Sequence, residues 1–293
     1  MKIKSPILQG LFLAALTTAA FTSASAETIY GVNGSNSLLT FDSATPGTIV
    51  TSVPITGTSG DVLNIDIRPA TGQLFGLDFN NNLYTINALT GAASLVGGTT
   101  ISSGFDYGFD FNPTVDRIRV ITDAASNFRL NPNTAGTTND LALDYITGDP
   151  NDAATPTLVG AAYTNNFALN FGGSTTLYAI DSALDILARS TNANNGTYVT
   201  QGSLGLDVTG LLGFDISGQT GTAYASLSTD GFTSSLYSID LLTGAATSIG
   251  GIGSNQTILD IAAPSAVPEP ATTLFGLAVV GAAALRRRRA ARA

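Results

Sequence analysis

NIDIRPATGQLFGL, running from Asn64 to Leu77, aligns without gaps on GFDFNPTVDRIRVI at Gly108 to Ile121 and on GFDISGQTGTAYAS at Gly213 to Ser226. Self-similarity at a fixed period marks a repeat architecture. A second unit follows the first: LYTINALTGAASLVG (Leu83 to Gly97) matches LYSIDLLTGAATSIG (Leu236 to Gly250) at nine of fifteen positions, with looser copies near Leu39, Phe128 and Leu177. Within these units apolar and polar residues alternate, as in Leu83-Tyr84-Thr85-Ile86-Asn87, and turn dipeptides such as Thr90-Gly91 and Thr243-Gly244 close them. A period of two bounded by turns is the pattern of short strands. Each full unit reads as four strands: a φ-Asp-φ strand (φ apolar), a turn, a second strand, then the LYxI hairpin. The first two copies begin 44 residues apart, a propeller-blade period. The expected fold is all-β, a β-propeller.

The count of units points to five blades. The chain enters this domain with TIYGVNGSNSLLTFDSATPGTIV (Thr28 to Val50), which has the later strands of a unit but no φ-Asp-φ strand. That strand stands alone at the other end, Ile258-Leu259-Asp260-Ile261. Pairing the two ends completes a blade and closes the ring, removing an exposed sheet edge. The expected blades are Thr28 to Thr56 with Ile258 to Ala263, then Val62 to Ile101, Tyr107 to Val159, Gly160 to Ser203 and Leu211 to Ile252. The fourth matches least well. A sixth blade is the alternative if Asn131 to Tyr163 hides a degenerate hairpin.

Both ends lie outside the repeats. Lys2 and Lys4, the apolar run Ile7 to Ala20 and the small residues Ala24-Ser25-Ala26 have the order of a secretory signal peptide, with the mature chain beginning near Glu27. At the other end, Val267, Pro268, Glu269 and Pro270 precede an apolar run from Ala271 to Leu285 and then Arg286, Arg287, Arg288 and Arg289. As a helix that run is roughly 22 Å long against a hydrocarbon core of about 30 Å, and the arginines would hold the extreme C-terminus on the cytoplasmic side. This order resembles the PEP-CTERM sorting signal of exported bacterial proteins. The resemblance implies an exosortase that reads Pro268, Glu269 and Pro270, delivery through the general secretion machinery, transient anchoring in the inner membrane, and release to the cell surface or beyond. A retained single-pass anchor is the other reading of the same segment. The domains are therefore residues 1–26 (signal peptide), 27–263 (repeat domain) and 264–293 (sorting tail).

The repeat domain has an extreme charge balance. It keeps five arginines (Arg68, Arg117, Arg119, Arg129 and Arg189) against nineteen aspartates and Glu27, a net charge of −15, and no lysine, histidine or cysteine. Such a body repels nucleic acid and suits solubility outside the cell. Without imidazole, thiol or amine, the Ser-His-Asp, Cys-His, Ser-Lys and Schiff-base systems are excluded, as are zinc sites built on His or Cys. No Gly-rich phosphate loop follows a strand and opens a helix. Carboxylates are the strong acid and base groups that remain.

Asp66, Asp110, Asp215 and Asp260 hold one repeated position. Facing a common axis they would form an acidic ring able to hold Ca²⁺ through oxygen ligands; otherwise they accept backbone hydrogen bonds as scaffolding in every blade. Arg117 and Arg119 share a strand face by period two, with Arg129 on the next strand. They either bind an anionic sugar or pair with nearby aspartates. Asp140, Asp144, Asp149 and Asp152, lying between Asn139 and Asp152, lack the spacing of a calcium loop and read as a solvated connector.

The runs FDFNPTVDRIRVITD (Phe109 to Asp123), NFRLNPNTAG (Asn127 to Gly136), AAYTNN (Ala161 to Asn166) and TLYAIDSALDILA (Thr176 to Ala188) resemble an uncharacterised bacterial family known as a domain of unknown function. It spans essentially Glu27 to Ala263 and implies no catalytic residue or ligand. The sequence thus supports an exported, non-catalytic surface or matrix protein that binds exopolysaccharide, a cation or a protein. The rival is a carboxylate-dependent glycan-active enzyme, which needs two inward carboxyls in one pocket breaking the repeat symmetry.

Overall fold

The computed structural model describes residues 26–102, 104–167, 173–254 and 256–265. The cleavage residue Ala24, the motif Val267 to Pro270, the apolar run and Arg286 to Arg289 lie outside them, whereas Ala26 is described and exposed. Among the described residues there is no helix, and so none long and apolar enough to cross a membrane.

Among the described residues twenty-one strands form five sheets. The first blade contains β1 (Thr28–Asn33), β2 (Ser37–Asp42) and β3 (Ile49–Pro54). The second contains β4 (Val62–Ile67), β5 (Leu74–Asp78), β6 (Asn82–Ile86) and β7 (Ala93–Gly98). The third has β8 (Tyr107–Asn112), β9 (Arg117–Thr122), β10 (Asn127–Leu130) and β11 (Thr137–Asn139). The fourth has β12 (Asp144–Tyr145), β13 (Leu158–Tyr163), β14 (Leu177–Asp181), β15 (Ile186–Asn192) and β16 (Thr197–Ser203). The fifth has β17 (Leu212–Ile216), β18 (Ala223–Leu227), β19 (Ser235–Ile239) and β20 (Ala246–Gly251). Finally β21 (Ile258–Ala262) returns to β1, antiparallel, with Gly31 opposite Ile261. The ring closes as the two incomplete ends of the repeat demand, and there are five blades.

The fourth blade departs from the repeat. Its inner strand starts at Leu158 rather than Gly160, and the third blade ends at Asn139 rather than Val159. The stretch Asn131 to Tyr163 supplies no sixth blade. Instead β12 pairs parallel with β16 and adds a fifth, outer strand. Tyr145 anchors it: the side chain is buried and its hydroxyl donates to Asp181 at 2.8 Å.

Five apolar clusters hold the ring, one at each blade junction. Phe75, Leu77, Phe109, Phe111 and Val120 fill the second–third junction, with Phe75 and Phe111 edge to face at 5.2 Å. Leu212, Phe214, Ile180 and Leu187 fill the fourth–fifth junction. Blades are therefore buried on both faces, which is why β5, β13, β17 and β18 are buried at every residue while the outer strands β3, β7 and β20 face water. At the axis the inner strands pass so closely that a side chain is excluded at some positions. A Cβ on Gly213 would lie 2.5 Å from Ile261 N, and one on Gly108 would lie 2.8 Å from Ala161 N.

Candidate functional site

The repeated aspartates come together at the axis. Asp66, Asp110, Asp215 and Asp260 sit on β4, β8, β17 and β21, each with between 1% and 4% of its surface exposed. Each reaches sideways to the next blade's inner strand or the residue just beyond it. Asp260 accepts the N–H of Ile65 at 3.0 Å, Asp66 that of Phe111 at 2.7 Å, Asp110 that of Tyr163 at 3.3 Å, and Asp215 that of Ala263 at 2.6 Å. Their other oxygens accept the following residue's own N–H at Ile67, Ile216 and Ile261. The blades are thereby laced by carboxylate-to-backbone hydrogen bonds, the scaffolding form of the repeated position. Among the described residues no group of three or more carboxylates is arranged to hold a metal ion.

One link is missing. In the fourth blade the repeated position is Ala162. Asp110, on the strand before it, keeps a buried Oδ1 without a hydrogen-bond partner, and interacts instead with the carboxyl of Asp215 from the blade after it. Burial pushes Asp66, Asp110 and Asp260 well above the usual carboxylate range, and the charges of neighbouring aspartates push the same way. Burial also drives Asp215 up, to about 7, against the opposing pull of the Ala263 and Ile216 N–H groups. Taking a charge out of water is costly, so burial at the axis favours the protonated form of these carboxyls.

A second cluster is open to solvent. On the third blade Asp110 is opposite Arg119, Arg119 is opposite Arg129, and Asn112 is opposite Arg117, so these side chains share the face turned to the fourth blade. From that blade come Tyr163, at the end of β13, and Asn194, in the turn after β15. With Val115 they line a cleft of about 280 Å³. Arg119 is buried and engaged at all three nitrogens: Nη1 donates to Asp140 and Asn127 at 2.6 Å each, Nη2 to Asn194 at 2.7 Å, and Nε to the Tyr163 hydroxyl at 3.4 Å. Arg129 donates two parallel bonds to Asp140, at 2.7 and 2.8 Å. Asp140 is thus a buried bridge between two arginines rather than part of a solvated connector.

Arg117 is different. Its Nη1 donates to the Asp116 carbonyl at 2.8 Å, and among the described residues it has no carboxylate partner, because the Asp116 carboxylate is held by Arg68. A neighbouring cleft of about 410 Å³ shares Asn112 and Tyr163 with the first and adds Arg189, Thr176 and Asn192. Arg189 has no carboxylate partner either and donates to Gln201 at 3.3 Å. The sequence singled out Arg117, Arg119 and Arg129 but left open which of them were paired, and it only counted Arg189; Asp140, Tyr163 and Asn194 carried no signal in the repeat.

A family model described as a domain of unknown function, DUF4394, matches residues 37–262. No curated protein matches. Among solved structures the chain is similar to a structural genomics protein of unknown function from Bacteroides thetaiotaomicron, at 17% identity over 82% of this chain and 65% of that one, with a TM-score of 0.49. It is also similar to an auxiliary nutrient binding protein from the same organism, at 12% identity over 68% of this chain and 56% of that one, with a TM-score of 0.42. A third similar structure is Myxococcus xanthus glutaminyl cyclase, at 12% identity over 72% of this chain and 95% of that one, TM-score 0.42. The chain thus spans less than two thirds of the first two. At these scores the likenesses bear on no function.

Proposed function

The chain belongs to DUF4394, a domain of unknown function, and from that premise we propose that it is an exported, non-catalytic cell-surface or matrix protein whose propeller binds exopolysaccharide. The observation that carries the binding part is the cleft between the third and fourth blades. Its lining of arginine, asparagine and tyrosine offers hydrogen bonds to a polar ligand, and it contains no carboxylate able to act as acid or base. The carboxyl pair that breaks the repeat symmetry, Asp110 and Asp215, is only 1% and 2% exposed, out of reach of a glycan. That favours a binding protein over the glycan-active enzyme.

Delivery rests on the sequence ends. Support for an exosortase substrate comes from the Pro-Glu-Pro motif, the apolar run and the arginines, and from how little separates fold from tail: the last described residue, Ser265, still donates to the Ile67 carbonyl at 3.1 Å. Processing beyond Pro270 would leave the ring untouched. Two measurements test the proposal. Mass spectrometry of the exported protein is expected to show a chain starting near Glu27 and lacking everything after Pro270; intact Arg286 to Arg289 on released protein counts against processing. Exported protein is expected to be retained on immobilised exopolysaccharide from the producing cells, and absence of retention removes the binding role.

A further inference from the structure

We infer that the paired clefts at the third–fourth blade junction recognise the carboxylate-bearing sugar units of an acidic polysaccharide. This deepens the binding role proposed above and rests on it. The first ground is where the charge lies. Four of the domain's five arginines line these two clefts, and no carboxylate does, although the domain carries nineteen aspartates and Glu27.

The second ground is which arginines are free. Arg119 and Arg129 are spent on Asp140 and fix the wall. Arg117 and Arg189 keep guanidinium N–H groups that no described carboxylate takes. They lie on opposite blades, in clefts that meet at Asn112 and Tyr163. Two planar forks along one continuous groove suit carboxylates spaced along a chain, since guanidinium matches carboxylate two bonds at a time. Between them, the Asn112 and Asn194 amides and the Thr176 and Asn192 side chains supply the mixed donors and acceptors that sugar hydroxyls need.

The third ground is the surrounding field. The body as a whole carries −15, so an anion of high charge density is repelled before it reaches the cleft, while a polymer with one charge per sugar meets a weaker barrier. This selects against polyphosphate and nucleic acid.

The test measures binding of the exported protein to polygalacturonate, polymannuronate and hyaluronan, to the same polymers after carboxyl reduction, and to neutral dextran and polyphosphate. Affinity electrophoresis or calorimetry would serve. Binding to at least one uronate polymer is expected, with loss after carboxyl reduction and weakening in salt. R117Q and R189Q are each expected to lower affinity about tenfold, the value of one charge-assisted contact, with an unchanged melting temperature, because neither arginine has a carboxylate partner. If all three uronate polymers fail while the cells' own exopolysaccharide is retained, the carboxylate inference falls and the binding role stands. If that polysaccharide is not retained either, both fall. Equal binding of the reduced polymers or of polyphosphate overturns the carboxylate specificity, and unaltered affinity in both arginine variants overturns the site.

Discussion

Asp110 and Asp215 act on one another electrostatically at the axis although a whole blade separates their strands, and the fourth blade offers Ala162 where the others offer an aspartate. Asp110 Oδ1 lacks the donor that its counterparts accept from their following residue, because the Phe111 N–H is donated to Asp66 instead. Buried in this way, the two acids cannot both ionise cheaply.

Stability should therefore fall as pH rises. Asp215 is pushed up to about 7 and Asp66, Asp110 and Asp260 well above their ordinary value, so between about pH 4 and those values the folded chain binds more protons than the unfolded one. The stabilisation is complete below the unfolded value and is lost as pH climbs through the folded ones. Melting followed by calorimetry is expected to show a midpoint several degrees lower at pH 8 than at pH 5, at about 2 to 4 °C per kcal/mol. D110N replaces one of the buried acids by a neutral group and should flatten this dependence, leaving the midpoint at pH 5 nearly unchanged. A flat wild-type profile would refute this description of the axial acids.

Calcium should not matter to the fold. Each of the four axial carboxylates already accepts a backbone N–H from the neighbouring blade, and three also accept one from the residue that follows. A cation would have to displace those donors without the exposed oxygen cage it normally takes. Melting with and without a chelator is expected to give midpoints within about 1 °C. A rise on adding Ca²⁺ would restore the acidic-ring reading.

Close approach of the inner strands gives a sharper prediction at Gly213. A Cβ there meets backbone on the closing strand, 2.5 Å from Ile261 N and 2.6 Å from Asp260 Cα, and neither atom can swing aside. G213A should cost about 3 kcal/mol, lowering the midpoint by roughly 6 to 12 °C. The exposed Gly34, whose nearest neighbour to an added Cβ is the Thr257 methyl at 3.7 Å, makes a suitable control. G34A should move the midpoint by no more than a degree or two. Similar losses in both variants would mean that the ring is looser at its axis than these distances imply.

What could be read in the chain was what recurs in it. The φ-Asp-φ strand, the LYxI hairpin and the lone copy at Ile258 to Ala262 follow from period-two patterning, and they are enough to fix closure of the ring. The departures depend on contacts with no local signature. A two-residue strand, Asp144–Tyr145, cannot show alternation, and it exists because Tyr145 finds Asp181. Asp140 looks like any loop acid until Arg119 and Arg129 arrive from β9 and β10 to bury it. The missing aspartate at Ala162 was visible, but the interaction of Asp110 with Asp215 requires knowing which blades are neighbours.

Glu27 presents the same difficulty, and its role leads to a test of closure itself. It is the first residue of the expected mature chain, yet its carboxylate is buried against the fifth blade, accepting from Ser217 Oγ at 2.5 Å, Thr220 Oγ1 at 2.9 Å and the Tyr224 hydroxyl at 3.0 Å. These bonds clasp the start of the chain to a blade 190 residues away, beside the strand pairing that closes the ring. The Glu27 N–H donates to Ser43 Oγ at 3.0 Å, a bond that an α-ammonium group at the same atom can also make, so the expected cleavage before Glu27 would preserve the clasp. E27A leaves the buried Ser217 and Tyr224 hydroxyls and the exposed Thr220 hydroxyl without their carboxylate acceptor and should cost about 3 kcal/mol. E27Q, which keeps one acceptor oxygen, should cost about half as much. Because the clasp joins the first blade to the last, hydrogen exchange should rise first along β1, β21 and β17, before the second and third blades respond. Uniform acceleration in all five blades would show instead that the ring opens only as a whole.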